Sequence, residues 1–371
     1  MKILIFNWRD ITNPWKGGAE LNYHEQAKRW VKQGHKVALF CTSFPGAKNY
    51  EEIDGIQIYR KGSRFTVYIW APIIYLLKFR NKFDAILDVE NGIPFFTPFF
   101  TNKAKVLQIH HVHRKVFFKE LPYPVALLGY FLETKLMPLV YKNKKVIAVS
   151  NTTSEETIKY LKINKKDITI VYNGTDTDFY KPNIKIKTEY PSILFLGRLM
   201  RYKRVSILPK LMSEIIIKVP NAKMYIAGNG EEFQTIKDEI TKYNLKDKVL
   251  LLGNISEKEK LRLMQQSWLF VTPSSMEGWG LTVLEANACG TPSLAFNVPG
   301  LKEAIKNNYS GYLIDTEKEL NEKIIKLINN KKLRDKLSKN SIKWASNFNW
   351  DTSAKKTLDL LKKVMNNQQE K

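Results

Sequence analysis

A chain of 371 residues with 44% hydrophobic and 12% aromatic side chains is long for one core and carries enough apolar material for two. Two cysteines, Cys41 and Cys289, exclude a disulfide framework and point to a reducing compartment, and the longest apolar runs, near 67–77 and 121–132, contain proline and fall short of the ~20 residues a spanning helix needs. The net charge of +24 leaves three readings: nucleic acid, an anionic membrane surface, or a Lys-rich composition with no partner behind it.

Lys2–Phe6 is an apolar run suited to a buried parallel strand; with Trp8-Arg9-Asp10 close behind, it is too short for a signal-peptide core. The loop Trp15-Lys16-Gly17-Gly18-Ala19-Glu20 precedes a helix that runs to about Gln33 and stops at Gly34. Strand, glycine loop and helix in that order put unpaired backbone N–H groups where a phosphate can sit, which makes Gly17 and Gly18 candidate contacts. The spacing is not the G-x-G-x-x-G of dinucleotide folds. Residues 36–42 and 56–61 read as further strands. Between 65 and 100 the chain is dense in aromatic and aliphatic residues, broken by Pro72, Pro94 and Pro98 and accompanied by Lys61, Arg64, Lys78, Arg80 and Lys82. Such a stretch fits a core helix with loops or an amphipathic membrane-surface element, and a second one at 115–145 supports the membrane reading.

Residues 105–109 form a strand that ends in His110-His111-Val112-His113-Arg114. Ligands of open α/β sheets gather beyond the carboxyl ends of strands, so imidazoles there are well placed. Zinc is disfavoured, because no cysteine is near and His-His-x-His on a strand end splays its rings apart. Strands at 145–150 and 168–172 flank a helix that Asn151 or Thr152 could cap. Asn173-Gly174 makes a turn, and Asp176-Thr177-Asp178 spells D-x-D, a metal–diphosphate pattern. Residues 180–191, polar and Lys-rich with two prolines, read as an interdomain linker.

A second α/β half begins with the strand Ser192–Leu196, followed by Gly197-Arg198-Leu199 and, five residues after Arg198, Lys203. Strands at 223–227 and 249–252 end in the glycine turns Gly228-Asn229-Gly230-Glu231 and Gly253-Asn254. An apolar run at 268–271 and a Pro273-Ser274-Ser275 turn lead to Glu277-Gly278-Trp279-Gly280 and a helix from Leu281 to Ala288 that contains Glu285. The glycines free the backbone to approach a ligand, the helix N-terminus favours a diphosphate, and a carboxylate further along can accept hydrogen bonds from sugar hydroxyls. On spacing alone, two solvated glutamates on a strand–turn–helix remain an alternative. Fixed cations such as Arg198 and Lys203 suit a leaving diphosphate, arginine through its fork and lysine as a point charge. Residues 293–296 form a strand, and Asn297-Val298-Pro299-Gly300 with Glu303 closes this side. From Glu317 the chain is helical, and the last helix opens at Asn349-Trp350-Asp351 with Leu358, Leu361 and Val364 on one face.

Glu277-x7-Glu285 followed by Ala286-Asn287-Ala288-Cys289-Gly290-Thr291-Pro292 resembles the donor signature of the GT4-type retaining glycosyltransferases, also described as glycosyl transferases group 1. The Gly17-Gly18 loop, a histidine at the strand end, Asn173-Gly174 and Gly197-Arg198-Leu199 with Lys203 match the same family in the same order, over nearly the whole chain. The resemblance implies an α/β GT-B fold, two doubly wound Rossmann-like domains facing a central cleft. Residues 1–184, joined by a returning helix at 350–371, would form the acceptor-binding domain, and 185–349 the nucleotide-sugar domain.

It further implies transfer of a sugar from a nucleoside-diphosphate sugar to an acceptor hydroxyl with retained configuration, the sugar nucleotide being a co-substrate, with no cofactor and no metal. His110, Arg198, Lys203 and Glu277 are the implied catalytic residues: the cations clamp the diphosphate, Glu277 binds the transferred sugar and His110 steadies it, with His111 the second choice should the register slip by one. Gly17, Gly18, Gly228, Asn229, Gly230, Gly278, Trp279, Gly280, Leu281 and Glu285 complete the donor side, with Glu285 on the ribose. Glu20, His111, His113 and Arg114 are placed on the acceptor side. The D-x-D reading gives way to a turn and a cap.

Charge and aromatic segments suggest a lipid-linked or cell-surface glycan as acceptor, no nucleic acid, and a cytoplasmic protein peripheral on the cytoplasmic face of an anionic membrane. A sugar-nucleotide epimerase of the same fold and a non-enzymatic basic protein bound to membrane or nucleic acid are the alternatives. Neither explains why glycines, cations and glutamates fall where a donor site needs them.

Overall fold

In the computed structural model, which describes residues 1–369, the short apolar runs lie side by side as parallel strands, the central ones buried on both faces. The first sheet is built from β1 (Lys2–Phe6), β2 (Lys36–Cys41), β3 (Tyr50–Ile53), β4 (Ile56–Arg60), β5 (Ala85–Glu90), β6 (Ala104–Ile109), β7 (Lys145–Ala148) and β8 (Ile168–Ile170). Its order is β3-β4-β2-β1-β5-β6-β7-β8, and only β3 is antiparallel to its neighbour. The β3–β4 hairpin turns on Asp54 and Gly55, both at positive φ, the left-handed pair a two-residue turn requires. The chain returns from β4 to lay β5 on the other side of β1, so the winding direction reverses between β1 and β5.

The segment at 65–100, expected to hold a helix and loops or a membrane element, also contains β5. All six residues of that central strand are buried, and Asp88 and Glu90 break the apolar run that would otherwise announce it. One face of the sheet is covered by the helices Gly18–Lys32 and Trp350–Gln369. Ala27 and Trp30 pack with Ala354, Leu358 and Leu361, and the Trp30 indole N–H donates to the Ala354 carbonyl at 2.9 Å. Truncating such a buried tryptophan to alanine costs ~3–5 kcal/mol. The opposite face carries the helix Val67–Ile74 with the π turn Tyr75–Phe79, and the helices Tyr123–Phe131 and Met137–Val140. The helix Asn151–Leu161 is capped by Ser150, whose hydroxyl accepts from the Thr153 N–H at 2.9 Å, and not by Asn151 or Thr152.

The chain changes units after Gly174 and again before Trp350, so the first unit is 1–174 plus the last helix. The first change precedes the polar stretch at 180–191 that was expected to be the linker. Thr175 bridges Asn349 and donates to the Phe348 carbonyl at 2.9 Å, and the Tyr180 hydroxyl reaches Glu257 at 3.0 Å, which ties 175–180 to the second unit.

The second unit contains β9 (Ser192–Leu196), β10 (Lys223–Ala227), β11 (Val249–Gly253), β12 (Leu269–Thr272), β13 (Ser293–Phe296) and β14 (Gly311–Ile314), all parallel in the order β11-β10-β9-β12-β13-β14. This is the doubly wound arrangement, whose winding reverses between β9 and β12. Its core joins Ile193, Phe195, Ile226 and Val271 to helix residues such as Met212, Ile324 and Leu327. Among the described residues no helix is long and apolar enough to cross a membrane.

Candidate functional site

The loops that leave β9 and β12 meet where the second sheet reverses. Lys203, on a short helical turn after β9, forms an ion pair with the Glu277 carboxylate, on the loop after β12. The side chains are 13% and 17% exposed, and Ser274 Oγ donates to the same Glu277 oxygen at 3.2 Å. Arg198 is exposed and donates to the Tyr202 hydroxyl at 3.0 Å.

The loop that carries Arg198 is fixed from below. The Gly197 N–H donates to the Ala227 carbonyl at 3.1 Å and the Leu199 N–H to the Asn229 carbonyl at 2.9 Å. A Cβ on Gly228 would lie 1.9 Å from the Gly197 oxygen, and one on Gly230 2.4 Å from the Leu199 oxygen. Gly228 and Gly230, expected as donor contacts, are therefore demanded first by the crossing of two backbones. Gly280, at φ 93°, starts the helix Leu281–Ala288. Gly278 lies against Gly300, where an added Cβ would come 2.8 Å from the Gly278 carbonyl carbon. Trp279, expected on the donor side through its backbone, buries its ring edge-on against Phe348, 5.3 Å between centroids.

Glu285 lies inside that helix, and its carboxylate pairs with Lys260 Nζ at 2.9 Å. Lys260 is also 3.4 Å from Glu257, which accepts from the Tyr180 hydroxyl at 3.0 Å. Burial pushes the Glu285 carboxyl above the usual carboxylate range and the Lys260 cation opposes it. Burial works against the Lys260 charge too, but Glu285 and Glu257 overcome it and raise its pKa. The residue expected on a ribose thus has a cationic partner of its own.

In the first unit, Gly17 precedes the helix Gly18–Lys32 and donates its N–H to Glu20 Oε2 at 2.7 Å. Glu20 is fully buried, and its other oxygen accepts from Asn7 at 3.1 Å, Arg9 at 3.1 Å and Asn91 at 2.9 Å. Both oxygens are committed inside the unit, so Glu20, expected on the acceptor side, ties the loops after β1 and β5 across the reversal.

His110 follows β6 with its N–H on the Glu90 carbonyl at 3.3 Å and Nε2 3.4 Å from Gln108 Nε2. Burial lowers its pKa to about 4, so the ring is neutral at neutral pH. Gln108 donates to Asn22 Oδ1, and Asn22 donates to Asn173 at 2.5 Å, a chain of amides running from the histidine to the end of the unit. His111 is lowered to about 3 by burial and then by the charge of His113, against which it packs edge-on.

His113 Nδ1 lies 3.5 Å from Glu90 and 3.6 Å from Glu133. Burial opposes its charge, but the two carboxylates prevail and raise its pKa to about 10. Glu133 accepts the backbone N–H groups of His113 and Arg114 at 2.6 and 2.7 Å, and the Arg114 guanidinium sits 3.7 Å above the Tyr160 ring. His113 and Arg114, expected on the acceptor side, anchor the loop that follows His110. The ligand atoms of Glu90, His113 and Glu133 lie within 4.8 Å of one another, close enough to surround a cation, and the protonated imidazole itself supplies that positive charge.

Glu90 and Asn91 escaped the sequence reading because β5 did, and the acid at the end of that strand was the available signal. Lys260 lies on an ordinary amphipathic helix, Glu257–Gln266, with no local pattern to single it out.

The family model for "Glycosyltransferase Family 4" matches residues 16–179, and that for "Glycosyl transferases group 1" matches 176–344. An uncharacterized glycosyltransferase of Methanocaldococcus jannaschii is 27% identical, covering 99% of each chain. Among solved structures, the sucrose-phosphate synthase of Thermosynechococcus elongatus superposes with a TM-score of 0.81 at 18% identity, covering 98% of each chain. The Anabaena protein HepE in complex with UDP-glucose superposes with a TM-score of 0.77 at 18% identity, covering 98% of this chain and 100% of that one.

Proposed function

Because the chain belongs to the GT4-type glycosyltransferases of GT-B fold, we propose that it transfers a sugar from a nucleoside-diphosphate sugar to an acceptor hydroxyl, with the donor held by the second unit. The observation that carries this reading is the Lys203–Glu277 pair across the reversal between β9 and β12, the position where open α/β sheets take their ligands. Lys203 and the exposed Arg198 supply fixed positive charge for a departing diphosphate, and Glu277 is positioned to exchange its lysine partner for sugar hydroxyls. Glu285 takes the ribose in this reading. HepE, of the same fold, has been crystallised with UDP-glucose, which supports a sugar nucleotide as donor.

The reaction proposed is retaining and independent of metal at the diphosphate. The bond from the anomeric carbon to the diphosphate oxygen breaks, the acceptor oxygen bonds to that carbon on the same face, and the acceptor proton passes to the departing oxygen. The Gly17-Gly18 loop of the first unit is assigned to the donor phosphate and the acceptor, and His110, whose neutral ring can accept or donate one hydrogen bond, to the transferred sugar. The acceptor class proposed is a lipid-linked or cell-surface glycan.

A thermal-shift screen against UDP-, GDP- and ADP-sugars tests the donor assignment: one nucleotide class should raise Tm in a saturable way. Absence of a shift with every nucleotide sugar would refute it. NMR of the product then reads the anomeric configuration, and an epimerised sugar in the absence of acceptor would favour an epimerase instead.

A further inference from the structure

We propose that the first unit docks on an anionic lipid surface through the outer side of the two helical segments at 67–79 and 123–140. Both segments lie on one face of the sheet. Ile86 of β5 packs with the helix Val67–Ile74, while Leu107 of β6 packs with Met137 and Tyr141. Asp88 pairs in register with Leu107, and Ile86 and Asp88 share a strand face, so the two helical segments cover the same side. The turn Thr97–Phe99 joins them: Phe100 packs on Tyr75 at 5.5 Å, and Phe96 packs on Tyr141 at 6.4 Å.

Each segment already buries a full apolar stripe against the sheet, Val67, Ala71, Tyr75 and Phe79 in one, Ala126, Gly129 and Met137 in the other. The outward sides of these elements should then be polar, as on any surface helix. They are not. Ile69, Leu76 and Leu77 point outward from the first and Leu128, Phe131 and Leu139 from the second, with Leu77 80% and Leu139 72% exposed. Phe99, on the turn between them, is exposed as well. Apolar side chains concentrated this way on both sides of two elements mark an interaction surface and not scattered exposure.

Charge identifies the occupant. From 61 to 83 the sequence carries Lys61, Arg64, Lys78, Arg80 and Lys82 and no carboxylate, and Lys135, Lys142 and Lys144 are exposed along the second segment. An apolar ridge with a cationic surround fits a bilayer with anionic headgroups, which takes the leucines at the acyl boundary and the lysines at the phosphates. The same surround would repel a second copy of this chain brought face to face.

The inference does not rest on the donor assignment, and its test keeps the two apart. The full chain is floated with vesicles of phosphatidylglycerol and phosphatidylcholine in equal parts, and with phosphatidylcholine alone, at low and high salt. Binding is expected to the anionic vesicles and to weaken with salt. The double variant Leu76→Glu with Leu77→Glu, and separately Leu139→Glu on the other segment, should each reduce it at least about tenfold by charging side chains that would be buried in lipid. Lys78→Gln, Arg80→Gln and Lys82→Gln should each cost about fivefold, the share of one cation near such a surface. These positions are exposed, so Tm and any nucleotide-induced shift should stay at wild-type values. No flotation with anionic vesicles, flotation indifferent to the glutamate variants, or a dimer that Leu139→Glu dissolves without any vesicle binding would each overturn the proposal.

Discussion

Lys203 and Glu277 are 74 residues apart in the chain and meet as an ion pair because β9 and β12 are neighbours in the second sheet. In the proposed function each serves a different part of a sugar nucleotide, the lysine the diphosphate and the glutamate the sugar. In the fold they satisfy each other. Lys203→Ala and Arg198→Ala should each lower kcat by ~10²–10³, the usual cost of removing one preorganised charge stabiliser. Steady-state kinetics with the donor found in the screen measures it, and near-normal turnover in both variants would remove the clamp.

The Lys260–Glu285 pair predicts a different signature. Lys260→Met would leave a carboxylate buried without its cation, which costs ~3–5 kcal/mol for a pair as enclosed as this one, at 13% and 5% exposure. Thermal unfolding should show a large drop in Tm, and adding Glu285→Leu to Lys260→Met should restore much of it. Glu285→Gln keeps the volume, so a loss of nucleotide affinity by calorimetry in that variant, at modest cost in Tm, would support the ribose role. Unchanged affinity would leave Glu285 as a structural partner of Lys260.

The candidate site residues of the second unit were more legible in the sequence than those of the first, for a physical reason. Gly197-Arg198-Leu199, Gly228-Asn229-Gly230 and Glu277 to Leu281 sit in tight turns at strand ends, where the backbone itself demands particular residues, and such demands leave a local mark. Asn22, Asn91, Gln108 and Glu133 act through contacts between remote segments, which leave none. Lys260 is of the same kind. The Asp54-Gly55 turn between alternating residues was a readable hairpin signal, and β3 went unnoticed beside it. The place of His113 and Arg114 after a strand suggests the acceptor side and gives no sign that the buried Glu133 accepts both backbone N–H groups.

Gly228 separates support from contact. Its φ of +137° and the 1.9 Å approach of a Cβ to the Gly197 oxygen mean that Gly228→Ala must move the Arg198 loop or strain the backbone. A loss of about 2 kcal/mol or more in urea unfolding is expected. Asn229 is exposed on the same turn, and Asn229→Ala should leave stability within ~0.5 kcal/mol. A fall in nucleotide affinity in the asparagine variant would then report a direct donor contact, and an unchanged affinity would make the turn a scaffold alone.

His113 makes the folded protein sensitive to alkali. Its pKa is raised from 6.5 to about 10 between Glu90 and Glu133, so in that window the folded state holds a proton that the unfolded state has lost. Folded stability from this group is complete below pH 6.5 and declines as pH rises toward 10. Among the described residues the groups facing the ring are Glu90, Glu133, the neutral His111 and Phe117, and none of these supplies a second cation. His113→Gln should therefore be less stable at neutral pH, with two buried acids left without their cation, and should lose less between pH 7 and 10 than the wild type. Urea midpoints across that range decide it: parallel slopes in the two proteins would mean that the imidazole is uncharged in the fold, and the anchor of the loop behind His110 would have to be a neutral hydrogen bond.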